Sequence, residues 1–79
     1  SMEKFNDDIT QASEIELKVL QEMASINTET ISPSQLSIKN VRKCLKLLTE
    51  KKGLVVKTKR GEYSLYHPLF KEYLLKIIN

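Results

Sequence analysis

The sequence predicts one mainly helical α+β domain, in the order helix, short helix, helix, β-hairpin, helix. Three observations predict it. Apolar residues recur at helical spacing in three separate stretches, Ile15-Val19-Leu20-Met23, Ile38-Val41-Leu45-Leu48 and Leu69-Phe70-Tyr73-Leu74. Two β-branched and aromatic runs, 54–58 and 62–66, flank Lys59-Arg60-Gly61. Finally, 79 residues suffice for one modest core and not for two.

Residues 1–12 are polar and sustain no period, so they read as a flexible N-terminal arm with Phe5 and Ile9 as weak docking points. Ser1 ahead of Met2 has the form of a residue left by tag removal, and Met2 fits either a start codon or a junction to an excised piece. The domain proper is expected over 13–79. Ser13 with Glu16 three residues on has the form of a capping box and opens a helix over Glu14 to Ser25.

The stretch 26–37 is rich in Ser, Thr and Asn, which compete for backbone partners. Ser32 as cap and Pro33 at the first helical position predict about one turn of helix holding Gln35 and Leu36, with Thr30-Ile31 a brief strand before it. Ser37 is expected to cap a third helix from Ile38 to Lys52, its stripe broadened by Cys44 and Leu47. Gly53 stops that helix, with Lys51 and Lys52 in a last turn whose dipole favours cations. Gly61 supplies the positive φ of a hairpin. His67 is expected to cap the last helix, and Pro68 to begin it. In that helix Leu69, Phe70, Tyr73, Leu74, Ile77 and Ile78 alternate with Lys71, Glu72 and Lys76.

Composition narrows the function. The chain is 41% apolar and 29% charged, ordinary for a globular domain, and its apolar runs are too short to span a bilayer. A single cysteine, Cys44, allows no intramolecular disulfide and one histidine leaves too few soft ligands for structural zinc; no metal is expected. These features predict an intracellular location, in the cytoplasm or nucleoid, or in the nucleus of a eukaryote. Two glycines cannot build a phosphate-cradling loop, and His67 has no carboxylate or thiol nearby in sequence. Neither a cofactor nor catalysis is expected. Cys44 reads as a structural thiol beside the core stripe, and Tyr63, Tyr66, Phe70 and Tyr73 as packing between hairpin and last helix.

Charge is distributed unevenly. Residues 1–38 hold seven acids against Lys4 and Lys18, a net of −5. Residues 39–60 hold Lys39, Arg42, Lys43, Lys46, Lys51, Lys52, Lys57, Lys59 and Arg60 against Glu50 alone, a net of +8. On the third helix Lys39, Lys43 and Lys46 are spaced i, i+4, i+7 and so line a face turned from the apolar stripe, with Arg42 at its border. Cations there and at Lys57, Lys59 and Arg60 suit phosphates, while the Asn40 amide has the geometry to pair with an adenine edge. The expected DNA-contacting set is therefore Lys39, Asn40, Arg42, Lys43, Lys46, Lys57, Lys59 and Arg60. The competing reading is a face kept charged for solubility.

The run from Ser37 to Val55, SIKNVRKCLKLLTEKKGLV, resembles the recognition helix and first wing strand of winged helix-turn-helix proteins. The run from Gly61 to Leu74, GEYSLYHPLFKEYL, is similar to the close of the winged-helix domain that follows the ATPase core in archaeal-type AAA+/STAND ATPases. The resemblance covers about residues 14–78 and departs between Ser32 and Ser37, where a typical member carries a longer second helix. It implies a non-catalytic accessory domain of a larger ATPase. Its partner would be double-stranded DNA, or protein: the nucleotide-binding domain of the parent ATPase or another complex. A free-standing transcriptional regulator, acting as a dimer, is a third alternative.

Overall fold

The computed structural model describes residues 2–77. Helix α2 (Glu14–Ser25) begins as the sequence predicts. Ser13 Oγ accepts the Glu16 N–H at 3.1 Å, and Glu16 Oε1 accepts the Ser13 N–H at 2.8 Å. Its Val19, Leu20, Met23 and Ala24 are buried, and it is the element against which α3 (Val41–Glu50) and α4 (Pro68–Ile77) both pack. From α3 come Leu45 and Leu48; from α4, Phe70, Tyr73 and Leu74. Strands β1 (Val55–Lys59) and β2 (Glu62–Leu65) form the antiparallel hairpin, with Val55 in the core and the rest of β1 exposed. This is the α+β order expected, a hairpin between the third and last helices.

The segment between α2 and α3, residues 26–40, carries only a short helix. Pro33–Gln35 make a single 3₁₀ turn, stapled by the Ser32 N–H donating to Gln35 Oε1 at 2.8 Å. The strand expected at Thr30-Ile31 is one bridge: Ile31 and Tyr63 exchange both backbone hydrogen bonds, at 2.7 and 2.8 Å. Ile31 thereby lies beside β2 on the side away from β1.

Residues Glu3–Thr10, expected as part of a flexible arm, instead form α1. The reason is a docking face: Phe5, Ile9 and Ala12 pack against the core, and the Phe5 ring lies 5.6 Å from both Phe70 and Tyr73. Polar pins surround this contact. Asp8, only 2% exposed, accepts from Lys4 and from the Tyr66 hydroxyl, and Asn6 accepts from the Tyr73 hydroxyl. Burial and the Asp8 hydrogen bond push the Tyr66 phenol above its usual range. The expected participation of Ile78 in the last helix, and Ser1, lie outside the described residues.

In a domain this small the α1 contact is a sizeable part of the total stability of about 5–15 kcal/mol. Phe5→Ala is expected to lower unfolding free energy by about 2 kcal/mol, less than the ~3–5 of a fully buried ring because Phe5 keeps partial exposure. Urea unfolding with an unchanged midpoint would show that α1 does not dock.

Candidate nucleic-acid interface

The approach to α3 differs from expectation. Helix α3 starts at Val41 and not at Ile38, because residues 38–40 form a turn; before it, both Glu22 carboxylate oxygens, reaching over from α2, accept the Ser37 N–H at 2.9 and 3.1 Å. Asn40 then turns the chain with φ 59° and ψ 33°, a left-handed conformation that side chains other than Asn and Asp seldom tolerate. Its carbonyl accepts the Lys43 N–H at 3.1 Å, which makes Asn40 the N-cap, while its side chain makes no capping bond.

Two corrections follow for the site. Lys39 and Asn40 sit in the turn, so the i, i+4, i+7 row reduces on the helix to Lys43 and Lys46. Arg42, expected at the border, is one turn before Lys46 on the same exposed face. That face holds Arg42, Lys43, Lys46, Leu47 and Glu50, and the turn before it exposes Lys39 and the Asn40 amide. No acid stands in the first turn of α3 and no side chain caps it. The leading N–H groups and positive dipole end therefore lie among three cations, Lys39, Arg42 and Lys43.

The hairpin lies beside this helix, since α3 and β1 are in contact. Gly53, at φ 66°, connects them, and the N–H groups of Lys51 and Lys52 both donate to the Leu47 carbonyl. The register Val55↔Leu65, Val56↔Ser64, Lys57↔Tyr63 breaks before Lys59↔Glu62, leaving Thr58 as a bulge ahead of the Arg60-Gly61 turn. Gly61 takes φ 76° there. Lys57, Lys59 and Arg60 are all exposed, but they are not equivalent. Lys59 Nζ lies 3.2 Å from Glu62, whose carboxyl is held below its usual range by the Thr30 hydroxyl and then by Lys59. Glu62 thus partly neutralises the tip.

Lys52 is a structural cation. Its ammonium reaches the buried Glu16 carboxylate and, at 2.6 Å, the Gln11 carbonyl, and its side chain is 25% exposed. Burial alone raises the Glu16 pKa, but the Lys52 and Ser13 hydrogen bonds outweigh it and the carboxyl titrates below its usual range. The +8 stretch therefore divides. Lys39, Arg42, Lys43, Lys46, Lys51, Lys57 and Arg60 have no ion pair among the described residues, whereas Lys52 and Lys59 do.

The remaining candidates are packing or capping groups. His67 Nδ1 accepts the Leu69 N–H at 3.0 Å, the cap expected of it. Cys44 is half-buried beside Leu45 and Leu48. Tyr63, Tyr66, Phe70 and Tyr73 join the core, with Phe70–Tyr66 centroids 5.1 Å apart. Among the described residues no cluster of His, Cys, Asp or Glu could hold a metal ion, and no helix is long and apolar enough to cross a membrane. Comparison with protein-family models, curated proteins and solved structures finds no match to this chain.

Lys52→Met is expected to cost about 2–3 kcal/mol, somewhat less than breaking a fully dry ion pair because Lys52 keeps some contact with water. Since folding lowers the Glu16 pKa, the stabilisation is complete above the ordinary value of 4.5 and is lost as pH falls through the folded value. The unfolding free energy of the parent, from urea titrations, should fall below that pH, and the variant should show a shallower slope that keeps the share owed to Glu62; equal slopes would disconnect Lys52 from Glu16.

Proposed function

We propose that this chain is a non-catalytic, winged-helix DNA-binding module, with α3 and the β1–β2 hairpin as its contact surface and duplex DNA as its partner. The observation that carries the reading is the gathering of unpaired cations on contiguous elements. Lys39, Arg42, Lys43 and Lys46 lie at the start and on the outer face of α3, Lys57 and Arg60 on the adjoining hairpin. Together they form a field for a polyanion. A helix N-terminus without a side-chain capping bond lies beside them and adds backbone donors suited to phosphate oxygens. Of the named set, Asn40 is the amide available for a base edge, and Lys59 contributes least because Glu62 holds it.

In keeping with the resemblance of its sequence, we place the module as an accessory domain of a larger AAA+/STAND-type ATPase, where ATP is handled by another domain. A second reading is favoured by one observation. Leu47, 38% exposed, interrupts the basic face one turn after Lys43, and such an apolar side chain suits a protein contact. In that reading the same surface docks on the nucleotide-binding domain.

Binding to duplex DNA should weaken with salt, with a slope of log K against log salt near −4 to −5 for about five phosphate contacts. Triple replacement Lys43→Glu, Lys46→Glu and Arg60→Glu should reduce affinity by about 100-fold or more, while Lys18→Glu on α2 should have little effect. Fluorescence anisotropy checks both. Affinity unmoved by the triple change would reject the surface, and no binding at ~50 mM salt together with capture of the parent ATPase core would decide for the protein-docking reading.

A further inference from the structure

The sheet has a second free edge, away from the basic face. Tyr63 gives both its backbone groups to Ile31, so they point away from β1; the Tyr66 N–H, by contrast, donates to the Leu54 carbonyl at 3.1 Å, toward β1. Alternation in an antiparallel ladder then directs the Leu65 N–H and C=O outward, on the Ile31 side. Ile31 alone is paired there among the described residues, and the preceding residues bend away rather than continuing the ladder. Among the described residues no hydrogen bond is made to the Leu65 N–H or C=O on that side.

A notch of about 350 Å³ opens at this point. Met23, Ile31, Leu65 and Pro68 give it an apolar floor, and Glu29, His67 and Lys71 stand on its rim. Lys71 has no carboxylate partner among the described residues and reaches only the Ile26 carbonyl, at 3.5 Å. Because His67 Nδ1 is occupied as an acceptor, the proton of its neutral ring is on Nε2, a free donor. The α4 N-terminus at Pro68 adds its dipole to the same side. One carboxylate, Glu29, lines the same notch, with no ion pair to Lys71.

We propose that this edge binds an extended, acidic–apolar peptide segment as an added strand. Main-chain groups of the peptide pair with Leu65, an apolar side chain fills the floor over Met23 and Ile31, and an acidic side chain meets Lys71 and His67. An open backbone donor–acceptor pair selects a polypeptide over a small ligand, and the rim charge selects an acidic one. The site is independent of the DNA reading, because it uses none of the α3 cations.

The test is NMR titration of the full chain with a capped seven-residue peptide of alternating valine and glutamate. Expected are amide shifts at Ile31, Ser64, Leu65 and His67, with slowed hydrogen exchange at Leu65. N-methylation of alternate peptide nitrogens should abolish them. Lys71→Glu should weaken binding about tenfold, the scale of one charge-assisted hydrogen bond, and a valine–lysine peptide should recover it. The proposal is overturned by shifts centred on Lys57 at the β1 edge, by equal binding of the N-methylated peptide, by indifference to Lys71→Glu, or by no shifts at millimolar peptide.

Discussion

The arrangement of this domain depends on one buried carboxylate. Glu16 caps its own helix through the Ser13 N–H and also receives Lys52, which binds the Gln11 carbonyl as well. Three separate points of the chain meet there: the joint between α1 and α2, the first turn of α2, and the end of α3. An ionised group only 4% exposed is tolerable because its Oε1 accepts both the Lys52 ammonium and the Ser13 N–H. Since Lys52 immediately precedes Gly53, this node sets where the chain leaves α3 and therefore where β1 begins beside it.

That constraint explains why net charge is a poor guide to a binding face. The +8 of residues 39–60 mixes cations with different work. Lys52 holds helices together, Lys59 is engaged by Glu62, and the others face water. The acidic first half is likewise spent locally: Asp8 pins α1, Glu16 holds Lys52, and Glu22 holds the Ser37 turn. The acidic half of the sequence thus does not all become acidic surface, because Asp8 and Glu16 are buried inside the fold.

Most of the fold was legible wherever a period ran long enough or a local device was complete. The Ser13–Glu16 capping box, Pro33 after Ser32, Gly53 and Gly61 with positive φ, and His67 before Pro68 each name a boundary through chemistry confined to a few residues. What escaped was set from a distance. Phe5, Ile9 and Ala12 do have helical spacing, but across eight residues that signal is no stronger than chance; α1 forms because Phe70, Tyr66 and Tyr73, some sixty residues away, complete it. In the same way Ser37 has a cap's sequence, yet its N–H is anchored to Glu22 of α2 and the left-handed turn at Asn40 starts α3 at Val41. For the candidate site, residue types and exposure were readable, whereas their division into free and engaged cations required the positions of Glu16 and Glu62.

Asn40 carries two demands at one position. Its left-handed backbone confines the residue to Asn, Asp or Gly, and its exposed amide is the proposed reader of a base edge. These demands separate in evolutionary substitution. Descendants that exchange asparagine for glycine here keep the turn and discard the amide, so they mark lineages governed by backbone shape alone. Lineages that admit asparagine and refuse glycine are those in which the amide itself is under selection.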